Sequence, residues 1–195
     1  MEDFLYALTA GLVSAGATQW LVFHFDQRKA RRGADHLALR LADEFDSFAE
    51  RCMSTILANR SDYDEYKTPD RLSTSLPAAP ELFTDHPGWE SLDRPVAAEI
   101  LSFPRSIEFA AGHVSSEFMY GSPATAWCVR DDQAAKLGAI ALDIAKRLRE
   151  DHNQHAAEPA WDYHERLVEE GKRLDREQLT YQKKLEEQPQ SDSAR

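Results

Sequence analysis

Cysteine is scarce in this chain: Cys52 and Cys128 are the two present among 195 residues. A disulfide framework is excluded by that number, and both thiols fall within helical patterns, where burial is their expected state. Glycine is sparse too, with eight residues, none grouped into a phosphate-cradling loop. There is no G-x-S-x-G elbow and no pair of Cys-x-x-Cys clusters, so no motif calls for a cofactor, metal or nucleotide. Positive charge is in deficit, the net charge being −11. Nucleic-acid binding needs a basic patch, and the one compact basic cluster lies beside a long apolar stretch.

That stretch is what the chain does have. From Phe4 to Phe25 there is no charged side chain, and Arg28, Lys29, Arg31 and Arg32 follow directly. About 20 uncharged, mostly apolar residues match a helix crossing a ~30 Å hydrocarbon layer at ~1.5 Å per residue. Trp20 and Phe23 near one end and Tyr6 near the other suit the two interfaces. Glu2 and Asp3 precede the run and the bases follow it, the reverse of a secretory signal peptide. The expectation is a single-pass inner-membrane anchor in contact with the bilayer through Phe4 to Phe25. Its N-terminus would lie outside and the remaining domain in the cytoplasm, because Lys and Arg beside a span stay on that side. Ala7, Gly11 and Ala15 recur every fourth residue, a small-residue face that offers a homodimer seam.

Beyond residue 32 the charge is −12, since residues 1–32 sum to +1. Leu37, Leu41, Phe45, Phe48, Cys52 and Ile56 step by four, four, three, four and four, the stripe of an amphipathic helix. No proline intervenes between Phe4 and Asn59, so this helix and the anchor are either one rod or two rods jointed at Gly33. Asp43, Asp46 and Glu50 fall opposite the stripe and read as a solvated face. Residues 60–90 lose periodicity and gather proline. Leu76, Leu82, Phe83 and Trp89 make this segment a strap packed across helices in preference to a solvated linker. Pro77 and Pro80 form a P-x-x-P that could alternatively dock in a partner's aromatic groove.

Helical signals resume at Ser91 or Asp93, with Pro95 in the first turn. Val96, Ile100 and Phe103 give a short face that Pro104 ends or kinks. Ile107, Ala111, Val114 and Phe118 make a further stripe, closed at Gly121-Ser122-Pro123. Trp127, Ala134, Leu137, Ala141, Ile144 and Leu148 make the last. The fold class is all-α: one N-terminal transmembrane helix, then an antiparallel helical bundle with a proline-rich strap. The implied divisions are an anchor with its basic collar (1–32), the bundle (33–158, strap 60–90), a charged C-terminal helix (159–187) docked by Trp161 and Leu167, and a disordered tail (188–195).

Chemistry-bearing residues are few. His152 and His155 sit at helical spacing but lack the further ligands a metal site needs. His113 and Glu117, one turn apart, read as a surface pair. With Asp131 and Asp132 they are the residues from which a membrane-bound hydrolase or transferase site could assemble. The segments Leu76-Pro77 to Phe83, Trp89-Glu90-Ser91-Leu92-Asp93, Ile100-Leu101-Ser102-Phe103-Pro104 and Lys136-Leu137-Gly138 with Ala141-Leu142-Asp143 resemble a group of small bacterial proteins of uncharacterised function. Many of that group begin with one apolar helix, and the resemblance implies no activity or cofactor. A membrane-tethered acidic bundle that binds or scaffolds another, unidentified protein is the leading functional expectation.

Overall fold

The computed structural model describes residues 2–66, 74–154, 165–173 and 176. These are helical or irregular, with no strand among them. Three long helices carry the fold: α1 (Glu2–Tyr66), α2 (Arg94–Tyr120) and α3 (Pro123–Asp151). A 3-10 turn, Pro87–Ser91, precedes α2.

α1 is one rod of 65 residues, roughly 98 Å at the standard helical rise. Gly33 is helical within it, so of the two arrangements left open there the single rod is the one observed, without a joint at Gly33. Leu37, Leu41, Phe45, Phe48, Cys52 and Ile56 are all fully buried, as their spacing requires. The helix runs on to Tyr66, so residues 60–66 belong to α1 and not to the strap.

Among the described residues no helix is long and apolar enough to cross a membrane. The side chains of residues 1–18, 21 and 22 lie outside the description, and with them most of the Phe4 to Phe25 run and the Ala7, Gly11 and Ala15 face. Beyond that run, Trp20, Phe23 and Phe25 are 61%, 61% and 66% exposed, and Arg28, Lys29, Arg31 and Arg32 are exposed as well.

From residue 74 the strap runs antiparallel along α1. Arg51 donates to the Ala78 carbonyl (3.4 Å), and the Glu81 amide to Glu44 (3.4 Å). Arg40 lies over the Phe83 ring (3.7 Å), and His36 stacks on His86 (5.8 Å). The strap therefore covers Arg51 back to His36 as it advances from Ala78 to His86. Leu76, Leu82, Phe83 and Trp89 pack against the buried core. Phe83 takes a left-handed backbone (φ 48°), and its carbonyl accepts from the Trp89 indole N–H (3.0 Å) and the His86 amide (2.9 Å). One strained residue thus anchors the turn that delivers the chain to α2.

Because the strap returns along α1 before α2 begins, α1 and α2 run in the same direction and α3 runs against both. Arg147 pairs with Glu99 (2.6 Å), while His152 at the end of α3 pairs with Asp35 near the start of the bundle (2.7 Å). α2 passes through Pro104 as a single helix, so the short helix and the next stripe are one element. The hydrogen bond that proline removes is offset where Phe103 packs edge-on against both Phe45 (5.1 Å) and Phe48 (5.3 Å). The buried face of α2 is Val96, Ile100, Phe103, Ile107, Ala110 and Val114. Ala111 and Phe118, expected in that stripe, are exposed.

α3 begins at Ser122, whose hydroxyl accepts from the Thr125 amide (3.1 Å), with Pro123 at the first helical position. It ends with Asn153 in the left-handed region. The Gln154 amide donates to the Arg149 carbonyl (2.8 Å) and the Asn153 amide to Glu150 (3.2 Å), the paired bonds of a Schellman cap. Of the charged C-terminal part, residues 165–173 are described and helical, and Leu167 is fully buried against Gly138 and Cys52. Trp161 and residues 177–195 lie outside the description.

Candidate functional site

Two places in the bundle concentrate polar groups. The first is deep between α1, α3 and the 165–173 segment. Arg130 is 0% exposed and Asp131 1%, and Asp132, next in sequence, is buried as well. Arg130 Nη2 lies 2.9 Å from Asp131 Oδ1. Neighbours on one helix turn point away from each other, and the contact lacks hydrogen-bond geometry. Among the described residues none of the three guanidinium nitrogens has an acceptor and neither Asp131 oxygen a donor.

Burial disfavours both charges. The Asp131 carboxyl is pushed up to about 6 by desolvation, against the opposing pull of Arg130, Arg60 and Arg173. The Arg130 guanidinium is lowered by the same burial, with Asp131 working against it. Cys52, in the same region, is raised to about 12 by burial and is held as a neutral thiol. Over this pair, Arg60 of α1 grips Glu170 with two guanidinium nitrogens, and Arg173 joins the same carboxylate (3.1 Å). The C-terminal helical segment therefore seals the buried charges from above.

Asp131 and Asp132 do not combine with His113 and Glu117. Asp132 is engaged by Lys136 (2.9 Å) and Gln133 (3.3 Å). His113 and Glu117 form an i,i+4 pair at 3.9 Å on the outer face of α2. Among the described residues no hydrogen bond or ion pair links the two sets.

The second place is the opposite end of the bundle, toward the N-terminal half of α1. There a cavity of about 730 Å³ lies between α1, the start of α2 and the end of α3. Arg31 and Asp35 come from α1, Ser91 and Asp93 from the entry to α2, and Asp151 and His152 from the end of α3. Ala34 and Leu92, both buried, also line it. The Schellman cap sets this corner: it turns His152 onto Asp35 and lets the Gln154 amide group donate to the Asp35 carbonyl (2.6 Å). His152 is thus committed to a carboxylate, while His155 lies outside the description. No group of three or more potential metal ligands occurs among the described residues.

Two other expectations change. Asp43 and Asp46 are not an idle solvated face, because both hold Arg149 of α3 (3.2 and 2.5 Å). Burial opposes the charge on Arg149, but those two carboxylates outweigh it and raise its pKa. Pro80 is buried and Pro77 half-buried, so the P-x-x-P is already occupied within this chain.

Sequence pattern gave no sign of Arg130, because the residues that enclose it stand far away in the chain. The cavity had a weak sign: Gln27, Arg31, Ala34 and Leu37 share the α1 face that becomes the core stripe. Comparison of the chain with protein-family models, curated proteins and solved structures finds no match.

Proposed function

We propose that this protein is a membrane-tethered helical platform that holds a protein-binding bundle at a fixed distance from an anionic leaflet. The observation that carries the reading is the unbroken helix α1. The face that is core at Leu37 to Ile56 continues without a hinge into exposed aromatics and an exposed basic collar. A soluble bundle has no use for a helix that continues past its core and exposes Trp20, Phe23 and Phe25. Aromatic rings followed by Arg28, Lys29, Arg31 and Arg32 match an interface and the anionic headgroups behind it. On this reading the span is Phe4 to Phe25, the N-terminus is outside and the bundle is cytoplasmic.

The partner-binding part is the end of the bundle remote from the N-terminal half of α1. Phe118, Met119 and Tyr120 are all exposed at the α2–α3 corner, a cluster that folding leaves uncovered. The buried Arg130–Asp131 pair lies toward this end, near the start of α3.

Vesicle flotation tests the tether. Full-length protein should float with phosphatidylcholine–phosphatidylglycerol vesicles and resist carbonate extraction, and deletion of residues 1–25 should leave a folded helical domain in the soluble fraction. Extraction of the full-length protein by carbonate would remove the membrane-spanning reading.

A further inference from the structure

We propose that the cavity between Arg31, Asp93 and Asp151 is a headgroup site for a zwitterionic phospholipid bearing a primary ammonium. The inference rests on the membrane reading above and adds to it a ligand and an address.

The size is suitable, since small-molecule sites run from about 300 to 1,000 Å³, and this cavity holds about 730 Å³. So is the position. Gln27, Arg31, Ala34 and Asp35 present one face of α1 to the cavity, and Trp20 and His24 continue the same helical spacing toward the N-terminus. Trp20 and His24 pack edge-on (4.6 Å), and with Phe25 and Arg28 they line a smaller recess of about 180 Å³. A lipid seated by its headgroup would find aromatic surface on the side toward the hydrocarbon, where its chains must lie.

The charges discriminate between headgroups. Arg31, which lines the cavity, supplies a guanidinium for the phosphodiester. Asp93 and Asp151 then remain as carboxylates that no other described side chain engages, on two different walls of one cavity. An anionic headgroup would meet both acids unpaired. A trimethylammonium has the charge but no N–H to donate. A primary ammonium, with three donors, satisfies both carboxylates while the phosphate meets Arg31. Asp35 is already held by His152 and shapes the site without serving it.

The test uses full-length protein in a non-ionic detergent with dihexanoyl phosphatidylethanolamine, phosphatidylcholine and phosphatidylglycerol as probes. Hydrogen exchange at residues 91–97 and 149–154 is the readout, alongside binding by titration. The ethanolamine lipid should slow exchange at both segments and bind about tenfold or more tighter than the other two. Asp93→Asn with Asp151→Asn should erase that preference while leaving residual phosphodiester binding, and Arg31→Gln should weaken all three lipids. Equal affinity for the three headgroups, or a preference that survives the double asparagine variant, would overturn the site. So would soluble glycerophosphoethanolamine binding as tightly as the lipid, because the ligand would then be a free phosphodiester. A protein that floats with vesicles yet shows no headgroup preference loses the site and keeps the tether. One that prefers the ethanolamine lipid in detergent but never floats keeps the site and loses the tether.

Discussion

Gly33 and Gly88 meet backbone to backbone. A Cβ placed on Gly88 would fall 2.6 Å from the Gly33 carbonyl oxygen, whereas one on Gly33 would have only the Gly88 Cα, at 4.0 Å. The turn that ends the strap is therefore seated directly on α1, and the contact is one-sided in what it tolerates.

Gly88→Ala should push the turn off α1, because the clashing atoms are backbone and cannot rotate away. Gly33→Ala should be neutral or stabilising by about 0.5–1 kcal/mol, from helix propensity alone. Chemical denaturation of the two variants reads the opposite signs, and limited proteolysis of residues 74–92 should speed up only for Gly88→Ala.

Trp89→Ala should release the same strap by another route, since the indole both packs on the core and donates to Phe83. The expected loss is roughly 3–4 kcal/mol. Cleavage within residues 74–88 at unchanged membrane association would separate strap release from loss of the tether.

The buried carboxyl predicts an unusual pH dependence. Between about pH 4 and 6 the folded chain keeps a proton on Asp131 that the unfolded chain has released, its ordinary value being 3.8. The contribution is therefore complete below the unfolded pKa and is lost as pH rises through about 6, by an amount on the order of 3 kcal/mol. A carboxylate whose pKa is lowered by folding works in the opposite direction as a general rule. The measurement is accordingly a difference: urea midpoints of wild type and Asp131→Asn at pH 5 and 7.5. The wild type should lose more stability on that step, and parallel behaviour of the two would remove Asp131 as the cause.

Cys52 should be inert to aromatic disulfide reagents at pH 8 in the folded protein, because burial holds its thiol at about 12. Cys128, half-buried near the start of α3, should react first. Fast reaction at Cys52 would mean that the α1–α3 seam, with Leu167 over it, opens readily.

How far the chain could be read in advance depended on where each contact partner lay. The Leu37 to Ile56 stripe was legible because one helix packs one face, and the spacing is local. α2 was misjudged at Ala111 and Phe118 since both are apolar and nearly in phase; the exposed Phe118 belongs to the uncovered corner, and Ala110 takes the core position. Pro104 read as a stop or a kink because its compensation, Phe103 packed against Phe45 and Phe48, involves residues of α1. Asp43 and Asp46 read as solvent-facing because Arg149 is more than 100 positions away. The Arg130 region was the least legible of all: its cover, Leu167 and Glu170, stands on a segment whose charge pattern points to solvent.

The central claim is that α1 carries the bundle on the cytoplasmic face of a membrane. It is tested most directly by placing a single reactive cysteine at Asp3 or at Ser191 in a chain with Cys52 and Cys128 replaced by serine or alanine. A membrane-impermeant maleimide is then applied to intact bacterial spheroplasts and to inverted vesicles. Labelling at position 3 in spheroplasts only, and at position 191 in inverted vesicles only, is the predicted result. Labelling of both positions from the same side would contradict it.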